Sequence, residues 1–531
     1  VSASEDVLAP VTIVEPRPDR VPLSFAQLRM WLINQFDPSL PVYNLPLVVD
    51  VSGPLDVKVL REAMADVVAR HEVLRTTFPE VDGTPVQQIA PEVDAAQMDW
   101  AEVDCAALEE SLFTGFDVSV QWPMRVRLAR TTKSRGEKGD SYRLAIVVHH
   151  IAADGESLQP LFKDLFTAYS ARSSGHDPQF PPLNVQFADF ALWQHRELGT
   201  TNDPDSIVGR QLSYWTRQLA GLPDVTELPT DRPRPKAASY RGARVEFEIP
   251  AVIADGVSSL ARARGSSSFM VLHAALALLV ARLSGTGDVA IGTPVAGRGD
   301  QVLDPLVGMF VNTLVLRASV EIDQSFTDLL AHVSDVDLAA FEHSIVPFEA
   351  VVDALDPVRT EAFAPLAQIF LTLEPDVVGF AESEMMGLHI TPVPGPVEPA
   401  KVNLTFTISD RPPGSPWAGS LSYATDLFDH GTAEELVRRY LRVLGAVTVD
   451  PRLLVGDIPL LTADESHALL RTGVGTPLTW PTVTVAEALG AAMTAVPDVV
   501  AIIAPAGEVT YSELSARSNA LARELIAAGV G

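Results

Sequence analysis

Tyr142-Arg143-Leu144-Ala145-Ile146-Val147-Val148-His149-His150-Ile151-Ala152-Ala153-Asp154-Gly155 decides how this chain is read. Its first half is a short apolar run rich in β-branched residues, which predicts a buried strand. Beyond Gly155, residues Leu158, Leu161, Phe162, Leu165, Phe166 and Tyr169 recur at helical spacing and predict an amphipathic helix. Two histidines therefore stand where a strand ends, and an Asp-Gly turn feeds the helix. Alternation along a strand sends His149 and His150 to opposite faces, so one faces an open site while the other packs inward. That geometry argues against both holding one metal ion, and no Cys, Asp or Glu lies nearby at ligand spacing. Among histidine pairs at strand ends, most are structural.

Composition narrows the function classes. The 531 residues are 47% hydrophobic, enough for several cored domains. Lys and Arg number 39 against 68 Asp and Glu, a formal charge of −29. Such an anionic surface disfavours nucleic acid and anionic membranes as partners. The single cysteine, Cys105, rules out an intramolecular disulfide framework and points to a reducing, cytoplasmic setting. Its acidic neighbours Glu102, Asp104, Glu109 and Glu110 make it a poor nucleophile. The most apolar helical stretch, Phe269 to Leu283, is too short for a membrane span and carries His273 and Arg282. No apolar core of a signal peptide occurs in the first twenty residues, and the chain, starting at Val1, reads as a piece of something larger.

Six further stretches stand in order around the histidine pair. They are Leu23-Ser24-Phe25-Ala26-Gln27-Leu28-Arg29-Met30-Trp31-Leu32, Arg70-His71-Glu72-Val73-Leu74-Arg75-Thr76-Thr77-Phe78, Phe187-Ala188-Asp189-Phe190-Ala191-Leu192-Trp193, Ile291-Gly292-Thr293-Pro294-Val295-Ala296-Gly297-Arg298, Val307-Gly308-Met309-Phe310-Val311-Asn312-Thr313 and His343-Ser344-Ile345-Val346-Pro347-Phe348-Glu349. Together with HHxxxDG they resemble, in order and spacing, the seven motifs of nonribosomal peptide synthetase condensation domains over roughly residues 22–450. Phe187 replaces a usual Tyr, and Ser344-Ile345 depart from the usual polar-aromatic pair. The Gly292–Arg298 loop lacks the Gly-Lys-Ser/Thr ending that grips a triphosphate, so ATP binding there is rejected. His71, between Arg70 and Glu72, reads as a capping or salt-bridge residue.

The resemblance implies an α/β fold of two chloramphenicol-acetyltransferase-like lobes in a V-shaped pseudo-dimer with a central tunnel. The expected division is a linker from an upstream carrier protein at 1–20, an N-terminal lobe at 21–195 and a C-terminal lobe at 196–455. A linker at 456–482 and the truncated start of an adenylation domain at 483–531 follow. The Gly292–Arg298 loop would floor the tunnel, and residues near Asn403 to Ala424 would reach back as a latch. The Pro-rich stretch 222–240 would join the halves as an extended connection.

The implied reaction is peptide-bond formation between thioesters on donor and acceptor carrier proteins. The 4'-phosphopantetheine belongs to those partners, and the chain itself binds no metal or cofactor. His150 would accept a proton or orient the attacking amine, and the Gly155 N–H would face the developing oxyanion. His149 and Asp154 are read as structural, with Arg298 the first choice for Asp154's partner and Arg29 or Arg75 the reserve. Glu156-Ser157-Leu158, without the Ser-Trp of epimerisation domains, argues against that alternative, and the intact histidines argue against a catalytically dead recruitment domain. An ester-forming or starter-acylating variant stays open. The Ser24–Trp31 motif favours a donor of L configuration.

Overall fold

The computed structural model describes residues 8–91, 96–131, 140–200, 203–375, 383–393, 399–474 and 482–530. The stretch 131–140, whose charged composition reads as a hairpin tip, falls mostly outside these. The chain divides into two compact units, Val1–Leu460 and Leu461–Gly531.

The first unit is built on two mixed sheets. Its first half supplies β1 (Asn44–Gly53), β2 (Asp99–Val103), β3 (Met124–Thr131) and β4 (Asp140–His149). Its second half supplies β5 (Gly242–Ile249), β6 (Asp288–Val295), β7 (Asn312–Ser319) and β8 (Ile369–Pro375). After these come β9 (Ser383–Met385), β10 (Leu388–Pro392), β11 (Leu404–Asp410) and β12 (Trp417–Ala424). Among the described residues each sheet has six strands, in the orders β9-β10-β1-β4-β3-β2 and β7-β6-β8-β11-β12-β5. This is the expected two-lobed α/β pseudo-dimer.

The sequence pattern explains the layers. In β11, buried Leu404, Phe406 and Ile408 alternate with half-buried Thr405 and Thr407, so one sheet face joins the core and the other stays polar. The helix Ser268–Ser284 is buried along most of its length, which accounts for its nearly unbroken apolar sequence. Among the described residues no single helix is long and apolar enough to cross a membrane. The Pro-rich stretch 222–240 runs without helix or strand and is tied down by Asp231 N–H to Leu427 O (2.9 Å) and Ala238 N–H to Glu361 O (2.8 Å).

Three segments bind the halves together. Residues 296–311 leave the second sheet and enter the first lobe's core, where Leu303, Leu306, Val307, Met309 and Phe310 join its apolar cluster. Phe310 meets the rings of Phe187 and Phe190, each at 4.9 Å between centroids. Gly297 makes the turn possible: its φ is +65°, and a Cβ there would lie 2.0 Å from the Phe310 carbonyl oxygen.

The second link corrects an expectation. The latch does not lie at Asn403–Ala424, whose strands β11 and β12 belong to the second sheet. Hairpin β9–β10 crosses instead, with His389 paired to Ser52, Ile390 to Val51 and Pro392 to Val49. The alternation of β11 commits it to its own lobe, whereas buried Leu388 and Ile390 fill the first lobe's core. The hairpin turns at Met386 (φ 53°) and Gly387 (φ 77°).

The third link is the amino-terminal segment, read as linker from its composition. The described part is pinned. Arg17 pairs with Asp189 (2.9 Å) and Glu72 (2.6 Å), Val11 N–H donates to Asp300 (3.1 Å), and Trp193 Nε1–H donates to Ala9 O (2.7 Å). Composition shows its prolines but not that Arg17 meets a carboxylate buried in the first lobe.

The second unit contains helices Ala463–Val474, Val485–Ala495 and Tyr511–Ala527 and the antiparallel hairpin Val500–Ala504/Gly507–Thr510. Thr484 with Glu487, and Thr510 with Glu513, form capping boxes that start the latter two helices. Part of the expected 456–482 linker is thus helical, and residues 475–481 lie outside the described residues.

Candidate active site

The β1–β4 ladder sets the histidine pair. Asn44 faces His149 in register, and the His150 N–H donates to Tyr43 O at 2.8 Å, continuing the ladder past the strand end. His149 is 2% exposed and lies edge-on to Phe116, 6.1 Å between centroids. Its Nδ1 accepts the Ile151 N–H at 3.1 Å. Burial, with Lys401 adding to it, pushes the ring's pKa down to about 3. His149 is therefore a neutral core group.

His150 points the other way. Half-buried, it lines a cavity of about 820 Å³ whose walls come from both halves of the chain. Its Nδ1 lies 3.0 Å from Met309 Sδ. A thioether has no hydrogen to donate, so this contact fits Nδ1–H as donor and leaves a lone pair on Nε2. Burial and then Lys401 hold the imidazole's pKa down to about 3, only partly opposed by the carbonyls of His150 and Ala153. At neutral pH the ring is uncharged and able to accept a proton.

Asp154 turns away from the cavity. Its Oδ1 accepts from Ser157 N–H (2.9 Å), Ser157 Oγ–H (2.6 Å) and Arg298 Nη2 (3.1 Å), and its Oδ2 accepts from Phe310 N–H (3.0 Å). Arg298 also donates to Leu303 O and Leu306 O and lies 4.1 Å over the Phe310 ring. With both side chains 4% exposed, this knot fastens the HHxxxDG turn to the 296–311 segment. The reserve arginines lie elsewhere: Arg29 pairs with Glu349 at 3.1 Å, and Arg75 stands beside Glu72.

Gly155 is not brought to the His150 cavity. It is exposed, does not line that cavity, and accepts the Leu158 N–H at 3.3 Å. The turn carries it toward solvent as the chain enters the helix Leu158–Ser173. His71 is also structural, with Nε2 2.8 Å from Asp164 and Nδ1 accepting the Val307 N–H at 3.4 Å.

Sequence reading passed over three groups around His150. Met309 sat inside a quoted motif, but nothing local tells that its sulfur meets an imidazole. Tyr43 and Lys401 share the cavity wall, with the ammonium 5.1 Å from the Tyr43 ring centroid. A second cavity of about 800 Å³ shares Arg29, Met309, Val311, Thr313 and Phe348 with the first. Met309 therefore stands at a waist between two chambers. On the second-lobe side of the first chamber, Thr405, Thr407, Ser420 and Ser422 offer hydroxyls.

Two lobes of this kind, with a neutral histidine facing the space they enclose, define the class of two-lobed acyl-transfer domains built on HHxxxDG. The comparison with known families is specific: the family described as Condensation domain matches residues 18–470, and the chain belongs to it. It is similar to the isonitrile lipopeptide synthase of Mycobacterium tuberculosis, 40% identical over 543 residues, covering 99% of this chain and 21% of that protein. It is also similar to the dimodular nonribosomal peptide synthase of Bacillus subtilis, 40% identical over 527 residues, covering 97% and 22%. The chain thus spans about a fifth of the length of these relatives.

Among solved structures, the X-domain from teicoplanin biosynthesis, in complex with OxyB, is 33% identical. That match has a TM-score of 0.78 and covers 86% of this chain and 99% of that one. The first condensation domain of the calcium-dependent antibiotic synthetase shares the fold at 21% identity and TM-score 0.66, covering 83% and 99%. Condensation domains of nonribosomal peptide synthetases catalyse amide-bond formation and act with carrier-protein domains that bear phosphopantetheine.

Proposed function

We propose that this domain joins a donor acyl or peptidyl thioester to an acceptor aminoacyl thioester, each held on the 4'-phosphopantetheine of a separate peptidyl carrier protein, in the cytoplasm. The observation that carries the reading is that His150, uncharged at neutral pH, lines a cavity walled by both lobes. The acceptor amine attacks the donor carbonyl, a C–N bond forms, the C–S bond breaks, and the leaving sulfur takes up a proton that His150 accepts from the amine. No covalent enzyme intermediate is required, and holding two activated partners together supplies much of the acceleration. The two chambers meeting at Met309, with hydroxyls along one wall, fit two extended amide-bearing arms. The expected division follows from this reading: lobes at 21–195 and 196–455, a linker at 456–482 and an adenylation-domain start at 483–531. The donor is of L configuration.

The test is direct. Two carrier proteins loaded with defined aminoacyl groups are mixed with the chain, and dipeptidyl product is sought by mass spectrometry. Product that depends on His150 supports the reading, and none with any acyl pair overturns it. The likeness to the X-domain solved with OxyB favours a second reading, a docking domain for a partner protein. The intact HHxxxDG speaks for chemistry, and stable capture of a partner without condensation would favour docking.

A further inference from the structure

One wall of the His150 cavity is a sheet face set with hydroxyls. In β8, β11 and β12 the residues that join the second lobe's core are Ile369, Leu371, Leu404, Phe406, Ile408 and Leu421. Alternation sends the residues between them to the opposite face. There Thr372, Thr405, Thr407, Ser420 and Ser422, all half-buried, line the same cavity as His150. Register arranges their hydroxyls in two rows across the strands. Thr372 stands beside Thr407, which pairs with Ser420, and Phe370 stands beside Thr405, which pairs with Ser422. Among the described residues, none of these five hydroxyls has a hydrogen-bond partner.

Across these rows the wall is uncharged. Charge enters only at the margins: Arg244 and Glu246 of β5, 3.6 Å apart, pair with Ser422 and Ser420, and Glu374 lies two residues beyond Thr372. A hydroxyl both donates and accepts, so such a wall meets amide N–H and C=O groups alike. An alkyl chain laid on it would take water from the hydroxyls and return no hydrogen bond. Spacing points the same way. Thr405 and Thr407, like Ser420 and Ser422, are two residues apart on one strand, about 6.6–6.8 Å. An extended peptide lying along them turns its polar groups to one side at that same two-residue period, so successive amides meet successive hydroxyls.

We propose, on the condensation reading, that this wall is a subsite for the upstream residues of a peptidyl donor, so that the domain prefers a donor chain of several amides to one ending in an alkyl chain. Only the donor can carry such a chain, because the acceptor is a single aminoacyl group. The hydroxyls then serve the cargo as well as the arm that bears it. With the reacting carbonyl presented to His150, the residues behind it lie extended along β11 and β12. Thr405, Thr407, Ser420 and Ser422 are the specificity-determining residues.

The test compares L-alanyl, tri-L-alanyl and N-octanoyl-L-alanyl donors on one carrier protein, which share the reacting residue and differ only behind it. With a single loaded acceptor, the parent should use the tri-L-alanyl donor faster than the N-octanoyl-L-alanyl one. Thr405→Val combined with Thr407→Val keeps the side-chain shape and removes two hydroxyls. It should slow the tri-L-alanyl donor about fivefold for each hydroxyl that meets an amide and leave the other two donors little changed. Ser420→Ala combined with Ser422→Ala should do the same, and serves if the valine pair does not fold. No preference in the parent would overturn the proposal. So would slowing of all three donors by one factor, which would give the wall to the shared arm alone. If the parent forms no product from any donor, the condensation reading fails. Calorimetry then decides the subsite, with pantetheine analogues in which an amide replaces the thioester. Tighter binding of the tri-L-alanyl than the N-octanoyl-L-alanyl analogue, lost in the valine pair, keeps the subsite, and equal binding overturns it.

Discussion

The HHxxxDG turn has two sides that share one backbone and almost nothing else. On the Asp154 side the carboxylate accepts four hydrogen bonds, two from Ser157, one from Arg298 and one from the Phe310 N–H, in a buried knot. On the His150 side the imidazole has a weak sulfur contact, the carbonyls of its own turn, an open chamber and a cation across Tyr43. A buried network held by several hydrogen bonds gains rigidity, and a group left part-satisfied beside a cavity keeps its capacity to react. A single motif therefore holds an anchor and a reactive group, and the two should fail differently.

The largest effect is expected on the anchor side. Asp154→Ala and Arg298→Ala should each cost about 3–5 kcal/mol in denaturant unfolding, because each strands a buried charge, and activity should fall with stability. The double variant should lose less than the two singles added. Strict additivity would mean that the 3.1 Å bridge contributes no coupling.

His150→Ala sharpens the contrast from the other side. Condensation should fall by about 10²–10⁴-fold, the usual worth of a positioned base, while the melting temperature stays close to the parent's. A variant that turns over normally would reduce His150 to part of the chamber wall.

His149 tests whether inward burial shows as pH dependence. The ring is held at about 3 in the folded chain against about 6.5 when unfolded, so the unfolded state binds the extra proton. Its contribution is fully present above about pH 6.5 and is lost as pH falls from there toward 3. His149→Asn, which keeps an acceptor for the Ile151 N–H, should make acid destabilisation shallower by up to one proton. An unchanged slope between those pH values would show that His149 is not the buried neutral group described.

The smallest expected change is Met309→Leu. It should lower the rate by about fivefold, equivalent to one weak hydrogen bond of ~1 kcal/mol. Stability should move by less than about 1.5 kcal/mol, since volume is conserved. A loss as large as that of His150→Ala would make the sulfur contact essential to the imidazole's orientation.

Much of this was legible in the sequence because it is local or carried by motifs. The strand into His149, the helix after Ser157 and the opposite facing of the histidines follow from periods of two and 3.6. Arg298, named from the resemblance as Asp154's partner, lies 3.1 Å from it. What escaped depends on long-range pairing. Nothing in Leu388–Pro392 says that its partner strand is Asn44–Gly53, and the alternation of Leu404–Asp410 serves a sheet of its own lobe equally well. Gly155 was misjudged because a glycine at a turn is open to several directions. Lys401 was invisible because its placement depends on how two lobes meet.

The borrowed hairpin also bears on how the molecule behaves in a crowd. Without it, β1 would end the first sheet with a row of unsatisfied amides and carbonyls flanked by Val49 and Val51, an invitation to pair with a neighbouring chain. Pairing with β10 satisfies that row along Val49–Ser52, and the sheet then ends on the three-residue strand Ser383–Met385. Short outer strands make poor templates for edge-to-edge association. The crossing that ties the lobes together thus also protects the sheet on which His150 is mounted from aggregation.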